Sequence, residues 1–186
     1  MRLILIRHTT PSIASGMCYG RTDLALAETF PEEAEAVRLS LADIVPDIAM
    51  QQYQVFSSPL TRCKQLAYEL FESADVELTD YLTEINFGDW EMRPWDAIDR
   101  REIDAWRDDV MGYIPSGGES VKQMQQRTDA WLQPFLGGKN RPEVVIVVAH
   151  SGVIRTLLAT IYGWSAQEIL NFSLGYGELH CLELKS

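Results

Sequence analysis

The predicted fold depends on the stretch Leu3-Ile4-Leu5-Ile6-Arg7-His8-Thr9, close to the start of the chain. Its four apolar residues form a continuous run that is typical of a strand buried on both faces of a sheet. The run stops abruptly at Arg7 and His8. In an open α/β sheet, ligands bind beyond the carboxyl ends of the strands, so this polar pair is placed for chemistry.

A second copy of this pattern lies far downstream, where the apolar run 144–149 leads into His150-Ser151-Gly152. A histidine that follows a strand is more often a turn residue or a core residue than a catalytic one. Two of the three histidines share this context, however, and one of them has an arginine beside it. We therefore expect His8 and His150 to meet in one cleft, where the carboxyl ends of two buried strands lie together.

The other elements predicted from the sequence alternate between strands and helices. Further strands are expected at residues 54–57, 76–78 and 178–184, the last at an edge of the sheet. Longer helices are expected at about 119–135 and 151–162, followed by a short helix. This alternation predicts an α/β fold, a three-layer α/β/α sandwich with a mostly parallel central sheet.

Two helix starts carry specific signals. Thr29 is predicted to cap a helix that ends at Pro46, with Glu32 as its capping-box partner. A second helix is predicted to begin at Ser58-Pro59, with the proline at its first position. Arg62 then lies in the first turn, where free N–H groups attract anions.

Residues 81–120 differ in composition from the rest of the chain, because they contain three tryptophans, many charged residues and a Pro-Ser-Gly-Gly loop at 115–118. We predict an insertion of short helices that covers the cleft. The expected organisation is thus a single domain, residues 1–186, with a helical insertion at about 81–120, since this length fits one domain.

Composition restricts the partners and the location. The formal net charge of −11 repels nucleic acid, so an anionic small molecule would need a locally positive pocket. No apolar run approaches the ~20 residues that span a bilayer, and the apolar start is too short for a signal peptide. Cys18, Cys63 and Cys181 are odd in number and widely spaced, which favours reduced thiols. We expect a cytoplasmic protein without membrane partners, and the sequence leaves its oligomeric state open.

Several polar residues suit one reaction. Arg7 and Arg62 can hold a phosphate through bidentate, charge-assisted hydrogen bonds. His8 can attack phosphorus through a ring nitrogen if it is neutral and oriented. A leaving alkoxide also needs a proton, which a carboxylic acid near the cleft can give.

Five stretches together resemble the histidine phosphatase superfamily, in its phosphoglycerate mutase-like branch. Each stretch alone is weak, but all five occur in the order found in that family. They are Ile6-Arg7-His8-Thr9, Ser57-Ser58-Pro59-Leu60-Thr61-Arg62-Cys63, Glu84-Ile85-Asn86-Phe87-Gly88-Asp89-Trp90-Glu91, Pro115-Ser116-Gly117-Gly118-Glu119-Ser120 and Ala149-His150-Ser151-Gly152-Val153-Ile154-Arg155.

This resemblance implies a phosphomonoesterase that works without a metal or other cofactor. His8 would be the nucleophile that becomes phosphohistidine, and His150 would be the second catalytic histidine. Glu84 would protonate the leaving group and then activate water, a role that rests on the resemblance alone. The substrate phosphate would be bound by Arg7, Arg62 and Ser151.

Within the superfamily, the sequence is most similar to the α-ribazole phosphatases, which remove the 5′-phosphate of α-ribazole during cobalamin assembly. The resemblance rests on Tyr19-Gly20-Arg21-Thr22-Asp23 and on the Phe-Gly-Asp-Trp-Glu stretch at 87–91. The candidate contacts to a flat, base-like leaving group are Tyr19, Arg21, Thr22 and Trp90, together with Trp95. The alternative for the tryptophans is that they fill a small core of the insertion.

Three residues depart from the usual pattern of the family. Thr9 replaces the glycine that commonly follows the first histidine, and Ser151 replaces the glycine after the second. Ala14 stands where many members have asparagine, which weakens a mutase function more than a phosphatase function.

Other functions stay open at this point. The chain could be a broad-specificity small-molecule phosphatase or a phosphoglycerate mutase-like enzyme. A non-catalytic phosphate-binding regulatory module is a further alternative, although it would not need Glu84. A metal site made of His8, His150 and His180 is disfavoured, because no two of them share a short ligand spacing.

Overall fold

The computed structural model describes residues 1–46, 52–137 and 142–184 and is built around one five-stranded sheet. The strand order is β3-β2-β4-β1-β5; β5 is antiparallel to β1, and the other pairs are parallel. This confirms the predicted mostly parallel sheet, in which the last strand of the chain lies at an edge. The strands are β1 Arg2–Arg7, β2 Tyr53–Ser57, β3 Val76–Leu78, β4 Val144–Ala149 and β5 Leu179–Glu183.

Helices occupy the connections between the strands. Single turns of 3₁₀-helix lie at Ser73–Asp75, Asp80–Leu82, Gly88–Trp90 and Trp95–Ala97. The α-helices are α1 Phe30–Ile44, α2 Thr61–Leu70, α3 Arg100–Asp108, α4 Val121–Gly137, α5 Ser151–Tyr162 and α6 Ala166–Asn171. Within these ranges, no helix is long and apolar enough to cross a membrane.

The alternation of side chains along β1 and β4 creates the three layers. Because successive residues of a strand point to opposite faces, Leu5 and Val147 pack with α4 and α5, whereas Ile6 and Val148 pack with α1 and α2. Both faces of these strands are thus buried, which explains why their sequences are continuous apolar runs.

The register of the sheet brings the two histidines to one edge. Arg7 at the end of β1 pairs with Ala149 at the end of β4, so the next residues, His8 and His150, are neighbours. The His8 N–H donates to the Ala149 carbonyl oxygen at 2.9 Å and continues the parallel ladder by one bond.

The predicted capping box of Thr29 and Glu32 at the start of α1 is wrong. Thr29 precedes α1, but its own backbone is helical and its side chain makes no cap bond to the backbone. The Thr29 hydroxyl donates instead to the carboxylate of Glu33 at 2.6 Å, and that carboxylate also accepts the Thr10 N–H. Glu33, not Glu32, therefore joins the helix start to the loop that follows β1.

Helix α2 begins at Thr61, two residues later than predicted, so Pro59 is not its first residue. Leu60 is extended and precedes the helix. The cap is supplied from outside, because the carboxylate of Asp23 accepts the N–H of Thr61 at 2.7 Å and its hydroxyl at 2.8 Å. Arg62 is still in the first turn, as predicted.

Residues 81–120 contain one α-helix, α3, between turns and 3₁₀ segments. They form a small apolar cluster of their own around Trp90, Ile98 and Cys18. The rings of Trp95, Trp106 and other aromatic residues pack against this cluster. The insertion therefore has its own core, to which the loop after β1 contributes Cys18.

Candidate active site

His8 and His150 lie side by side at the carboxyl edge of the sheet. Their ring centroids are 5.1 Å apart and the rings meet edge to face. His8 is 2% exposed and His150 is fully buried. The prediction that two strands deliver their histidines to one place is confirmed.

The hydrogen bond of the His8 ring fixes its tautomer. Nδ1 of His8 lies 2.7 Å from the carbonyl oxygen of Thr9. Because a carbonyl oxygen only accepts, Nδ1 carries the proton in the neutral ring and donates it to that oxygen. Nε2 then keeps its lone pair, which makes it the nitrogen able to attack an electrophile.

The surroundings keep both imidazoles neutral. Burial, together with the charges of Arg62 and Arg7, lowers the pKa of His8 from 6.5 to about 3, although the hydrogen bond to Thr9 acts in the opposite direction. Burial also holds the pKa of His150 well below its usual value, with Arg62 and His8 acting in the same direction. His8 is therefore in its nucleophilic form throughout the neutral pH range.

Two side chains that follow β2, Ser58 before α2 and Cys63 within it, contact His150. Its Nε2 lies 2.9 Å from the hydroxyl oxygen of Ser58 and 3.4 Å from the sulfur of Cys63. Ser58 follows the end of β2, the strand next to β4. The segment that follows the neighbouring strand thus supplies the groups that orient the second histidine.

Two arginines complete the pocket. The Arg62 guanidinium is fully buried and donates to the carbonyl oxygens of Thr22 at 2.8 Å and Gly20 at 2.6 Å. Arg7 donates to the carbonyl oxygen of Leu174 at 2.6 Å. Nε of each arginine is buried and has no hydrogen-bond partner within the described part of the chain.

The balance of charge around these arginines indicates an anionic ligand. Among the described residues, neither Arg7 nor Arg62 forms an ion pair with a carboxylate. A buried cation without a counter-charge is costly, and a bound anion removes that cost. The pocket is therefore locally positive in a protein whose net charge is −11, as an anionic ligand requires.

Glu84 lies beside the start of α5 and is 9% exposed. One carboxylate oxygen accepts the N–H of Gly152 at 3.0 Å, and the other accepts the N–H of Ile85 at 2.9 Å. Gly152 allows this approach, because a Cβ there would lie 2.3 Å from Glu84 Oε1. The carboxylate is thus held two residues from His150, close to the pocket.

A tyrosine pair, Tyr19 and Tyr176, borders the pocket, and only Tyr19 was predicted from the sequence. Their hydroxyl oxygens are 2.6 Å apart. The Tyr176 ring lies over the Arg7 guanidinium at 3.9 Å and 5.5 Å from the His8 ring. The antiparallel pairing of β5 with β1 places the turn before β5 next to Arg7, and because no sequence pattern gives this direction, Tyr176 was missed.

The other predicted leaving-group contacts occupy different positions. Trp90 has no exposed surface and donates its indole N–H to Glu102 at 2.6 Å, so its assignment as a leaving-group contact is wrong. Thr22 donates its hydroxyl to Glu91 and uses its carbonyl for Arg62, so it supports the pocket. Arg21 is half-exposed beside Thr83.

Ser151 and Thr9, the two departures next to the histidines, also lie at the pocket. Ser151 is the first residue of α5, and His150 is the N-cap residue of that helix. Thr9 is fully buried, and its hydroxyl has no partner within the described ranges. Ala14 is exposed in the loop that follows β1.

His180 does not join the other two histidines. Its ring packs against Phe172 and Tyr162, at centroid distances of 5.7 and 6.5 Å. The alternative of a metal site made of the three histidines is therefore wrong.

The cysteines Cys18, Cys63 and Cys181 are free thiols.

An apolar cavity of about 170 Å³ adjoins Glu84 through Ile85 and Gly152. Its walls include the rings of Phe87, Trp95 and Trp106. Arg155 also lines it, and the Nε of this arginine has no partner in the described chain.

Comparison with known sequences agrees with this geometry. The profile of the histidine phosphatase superfamily (branch 1) matches residues 3–186. The chain belongs to the histidine phosphatase superfamily, and it is a phosphatase with the α/β fold of the phosphoglycerate mutase-like enzymes.

Individual relatives include phosphatases with different substrates in their names. The adenosylcobalamin/alpha-ribazole phosphatase of Escherichia coli is 30% identical, over 95% of this chain and 87% of the relative. The glucosyl-3-phosphoglycerate phosphatase of Mycolicibacterium vanbaalenii is 29% identical, over 87% and 74%. The crystal structure of the alpha-ribazole phosphatase from Shigella flexneri superposes with a TM-score of 0.83 at 25% identity, covering 98% of this chain and 90% of the other.

Proposed function

We propose that the protein is a phosphomonoesterase that works through a phosphohistidine at His8. The observation that carries this proposal is the fully buried Arg62, which has no carboxylate partner in the described chain and lies next to a neutral, oriented imidazole. Nε2 of His8 attacks phosphorus while Arg7 and Arg62 stabilise the charge on the equatorial oxygens. The ester P–O bond breaks, and the phosphoryl group is left on His8.

Glu84 supplies and removes the proton in this scheme. In the first step its carboxylic acid protonates the departing alkoxide. In the second step its carboxylate takes a proton from the water that attacks phosphohistidine, which releases phosphate and restores His8. His150 and Ser151 contact the phosphate, and the hydroxyl of Thr9, which has no partner among the described residues, donates to one of its oxygens.

The substrate that we propose is α-ribazole 5′-phosphate, used in cobalamin synthesis. Relatives with this activity in their names are similar over nearly the whole chain. The cavity beside Glu84 supports a flat aromatic leaving group, because the ester oxygen that receives the proton must lie close to Glu84. Trp95, Tyr19 and Arg21 are the proposed contacts.

We also propose that residues 1–186 act as one domain in which the 81–120 segment covers the cleft. The contact of this segment with the loop after β1 supports that arrangement. The free thiols favour a reducing compartment, which supports a cytoplasmic location.

The test of the proposed substrate is phosphate release from a panel of esters. The panel holds α-ribazole 5′-phosphate, a nucleoside monophosphate, 3-phosphoglycerate, a sugar phosphate and a phosphopeptide. We expect the highest kcat/KM for α-ribazole 5′-phosphate. Even rates across the panel would instead indicate a broad-specificity phosphatase, and isomerisation of 3-phosphoglycerate faster than its hydrolysis would indicate a mutase. No release from any ester would indicate a phosphate-binding regulatory module.

Substitution of Gly152 by alanine tests the role of Glu84. The added Cβ would lie 2.3 Å from Glu84 Oε1, so the carboxylate must move. We expect kcat/KM, which reports phosphoryl transfer to His8, to fall by about 10²-fold for alkyl phosphates, whose leaving groups need a proton. For p-nitrophenyl phosphate, whose leaving group departs as a stable anion, the loss in kcat/KM should be much smaller. Equal losses for both esters would contradict the assignment of Glu84 as the proton donor.

A further inference from the structure

The loop at residues 20–22 lies on the carboxylate of Glu91, a residue of the insertion. Three successive N–H groups donate to this carboxylate: Gly20 at 3.0 Å, Arg21 at 2.9 Å and Thr22 at 3.0 Å. The hydroxyl of Thr22 donates to it as well. One side chain thus fixes the orientation of three consecutive peptide groups.

The carbonyl groups of the same loop hold Arg62. The carbonyl oxygens of Gly20 and Thr22 accept from Nη2 and Nη1 of Arg62, one from each terminal nitrogen. The Gly20 carbonyl shares a peptide group with the Arg21 N–H, and Thr22 is held through both its N–H and its hydroxyl. Glu91 therefore fixes the two residues whose carbonyl oxygens set the plane of the Arg62 guanidinium. Nε, the nitrogen left without a partner in the described chain, stays available to a ligand.

The backbone near Glu91 is itself tightly placed. The Met92 N–H donates to the Cys18 carbonyl oxygen at 2.8 Å, and Met92 adopts a positive φ of 61°. The absence of a side chain at Gly20 allows the loop to approach, because a Cβ there would lie 2.0 Å from the carbonyl oxygen of Ile85. The contact between Glu91 and the loop thus depends on the backbone next to Glu91 and on the absence of a side chain at Gly20.

We propose that Glu91 is a positioning residue for phosphate binding, acting on Arg62 through the peptide groups of residues 20–22. This inference rests on the proposed function, in which Arg62 binds the transferred phosphoryl group. Glu91 touches neither the substrate nor Arg62 directly. A carboxylate bonded to Arg62 itself would occupy the donors that the phosphate needs, whereas a carboxylate behind the loop orients the guanidinium and leaves it free.

The charge state of Glu91 agrees with this role. Burial alone would raise the pKa of Glu91, but the hydrogen bonds from Thr22, Gly20 and Phe87 together hold its pKa below the usual value. The side chain is therefore an anion at neutral pH, and charge-assisted bonds of this kind are stronger than those between neutral groups.

Substitution of Glu91 by glutamine is the test. Glutamine keeps the size of the side chain but replaces one acceptor oxygen by an NH₂ group, which cannot accept the loop N–H groups. We expect orthovanadate, measured by calorimetry, to bind about 10- to 100-fold more weakly, with kcat/KM lowered to a similar extent. Glu102→Gln is the matched control, because Glu102 lies in the same insertion and, within the described ranges, its side chain is hydrogen-bonded to the buried Trp90 alone. It should leave both values unchanged.

A double-mutant cycle with Arg62→Lys separates positioning from simple support of the fold. Lysine keeps the charge but lacks the planar fork that donates from one terminal nitrogen to each carbonyl group, so the effect of Glu91 should disappear in this background. We expect orthovanadate to bind Glu91→Gln/Arg62→Lys within about threefold of Arg62→Lys alone. Multiplicative losses, or unchanged binding in Glu91→Gln, would overturn the proposal. The outcome is independent of the substrate test, since it needs only anion binding; if no ester is hydrolysed, the proposed function fails separately.

Discussion

Replacement of His8 by alanine is expected to lower phosphate release by about 10⁴-fold or more, as the loss of a covalent nucleophile does in other enzymes. Among the residues that the structure describes, the neighbouring imidazole is that of His150, and it is not a substitute because Ser58 and Cys63 engage it. The measurement is steady-state phosphate release together with trapping of the ³²P-labelled enzyme under alkaline conditions, where phosphohistidine persists. Wild type should carry label, and His8→Ala should carry none.

Two controls define this experiment. His180→Ala removes a histidine that packs against Phe172 and Tyr162 and should retain both turnover and label. A chelator should leave the wild-type rate unchanged, since the proposed chemistry uses only side chains. Substantial turnover in a folded His8→Ala protein would contradict the phosphohistidine mechanism.

Acid destabilisation is the second large expected effect. The pKa of His8 is about 3 in the folded protein and about 6.5 in the unfolded chain. Below pH 6.5 the unfolded chain therefore binds a proton that the folded protein does not bind, and stability falls as the pH is lowered towards 3. Between pH 6.5 and 5, His8 should contribute a loss of about 2 kcal/mol in the free energy of unfolding. His150, whose pKa is lowered in the same direction, adds to this loss.

Urea unfolding at pH 7.5, 6.5, 5.5 and 5.0 measures this dependence. The free energy of unfolding should fall by on the order of 1 kcal/mol per pH unit for each histidine. The window lies above the range in which the carboxylates titrate, so histidines dominate it. His8→Asn should reduce the slope markedly, whereas Arg100→Gln, on the exposed surface, should not change it. Equal stability at pH 7.5 and 5.0 would show that the two rings are not held neutral.

The parts of the fold that sequence reasoning predicted are those with a simple physical signature. Continuous apolar runs identified the strands at 3–6 and 144–149 because both faces of β1 and β4 are buried. The histidines at their ends could then be placed together from the rule for parallel sheets. Arg62 was predicted near the pocket because it lies in the first turn of the helix that follows β2.

Other features depend on contacts between distant segments, which leave no local pattern. Trp90 is equally consistent with a ligand platform and with a small core, and only the packing with Trp106 and Tyr113 distinguishes them. Glu91 is one of 27 acidic residues, and its three N–H partners lie about 70 positions away along the chain. Tyr176 depends on the antiparallel direction of β5, which a sequence pattern does not specify.

The bond between Arg7 and Leu174 joins residues 167 positions apart in the chain. Closing so long a loop is slow and is rewarded only when the intervening sheet is in place. The Arg7 side of the anion pocket therefore forms only when folding is complete, and partly folded chains lack it. A phosphate ester that binds both arginines thus acts as a selective stabiliser of the native state.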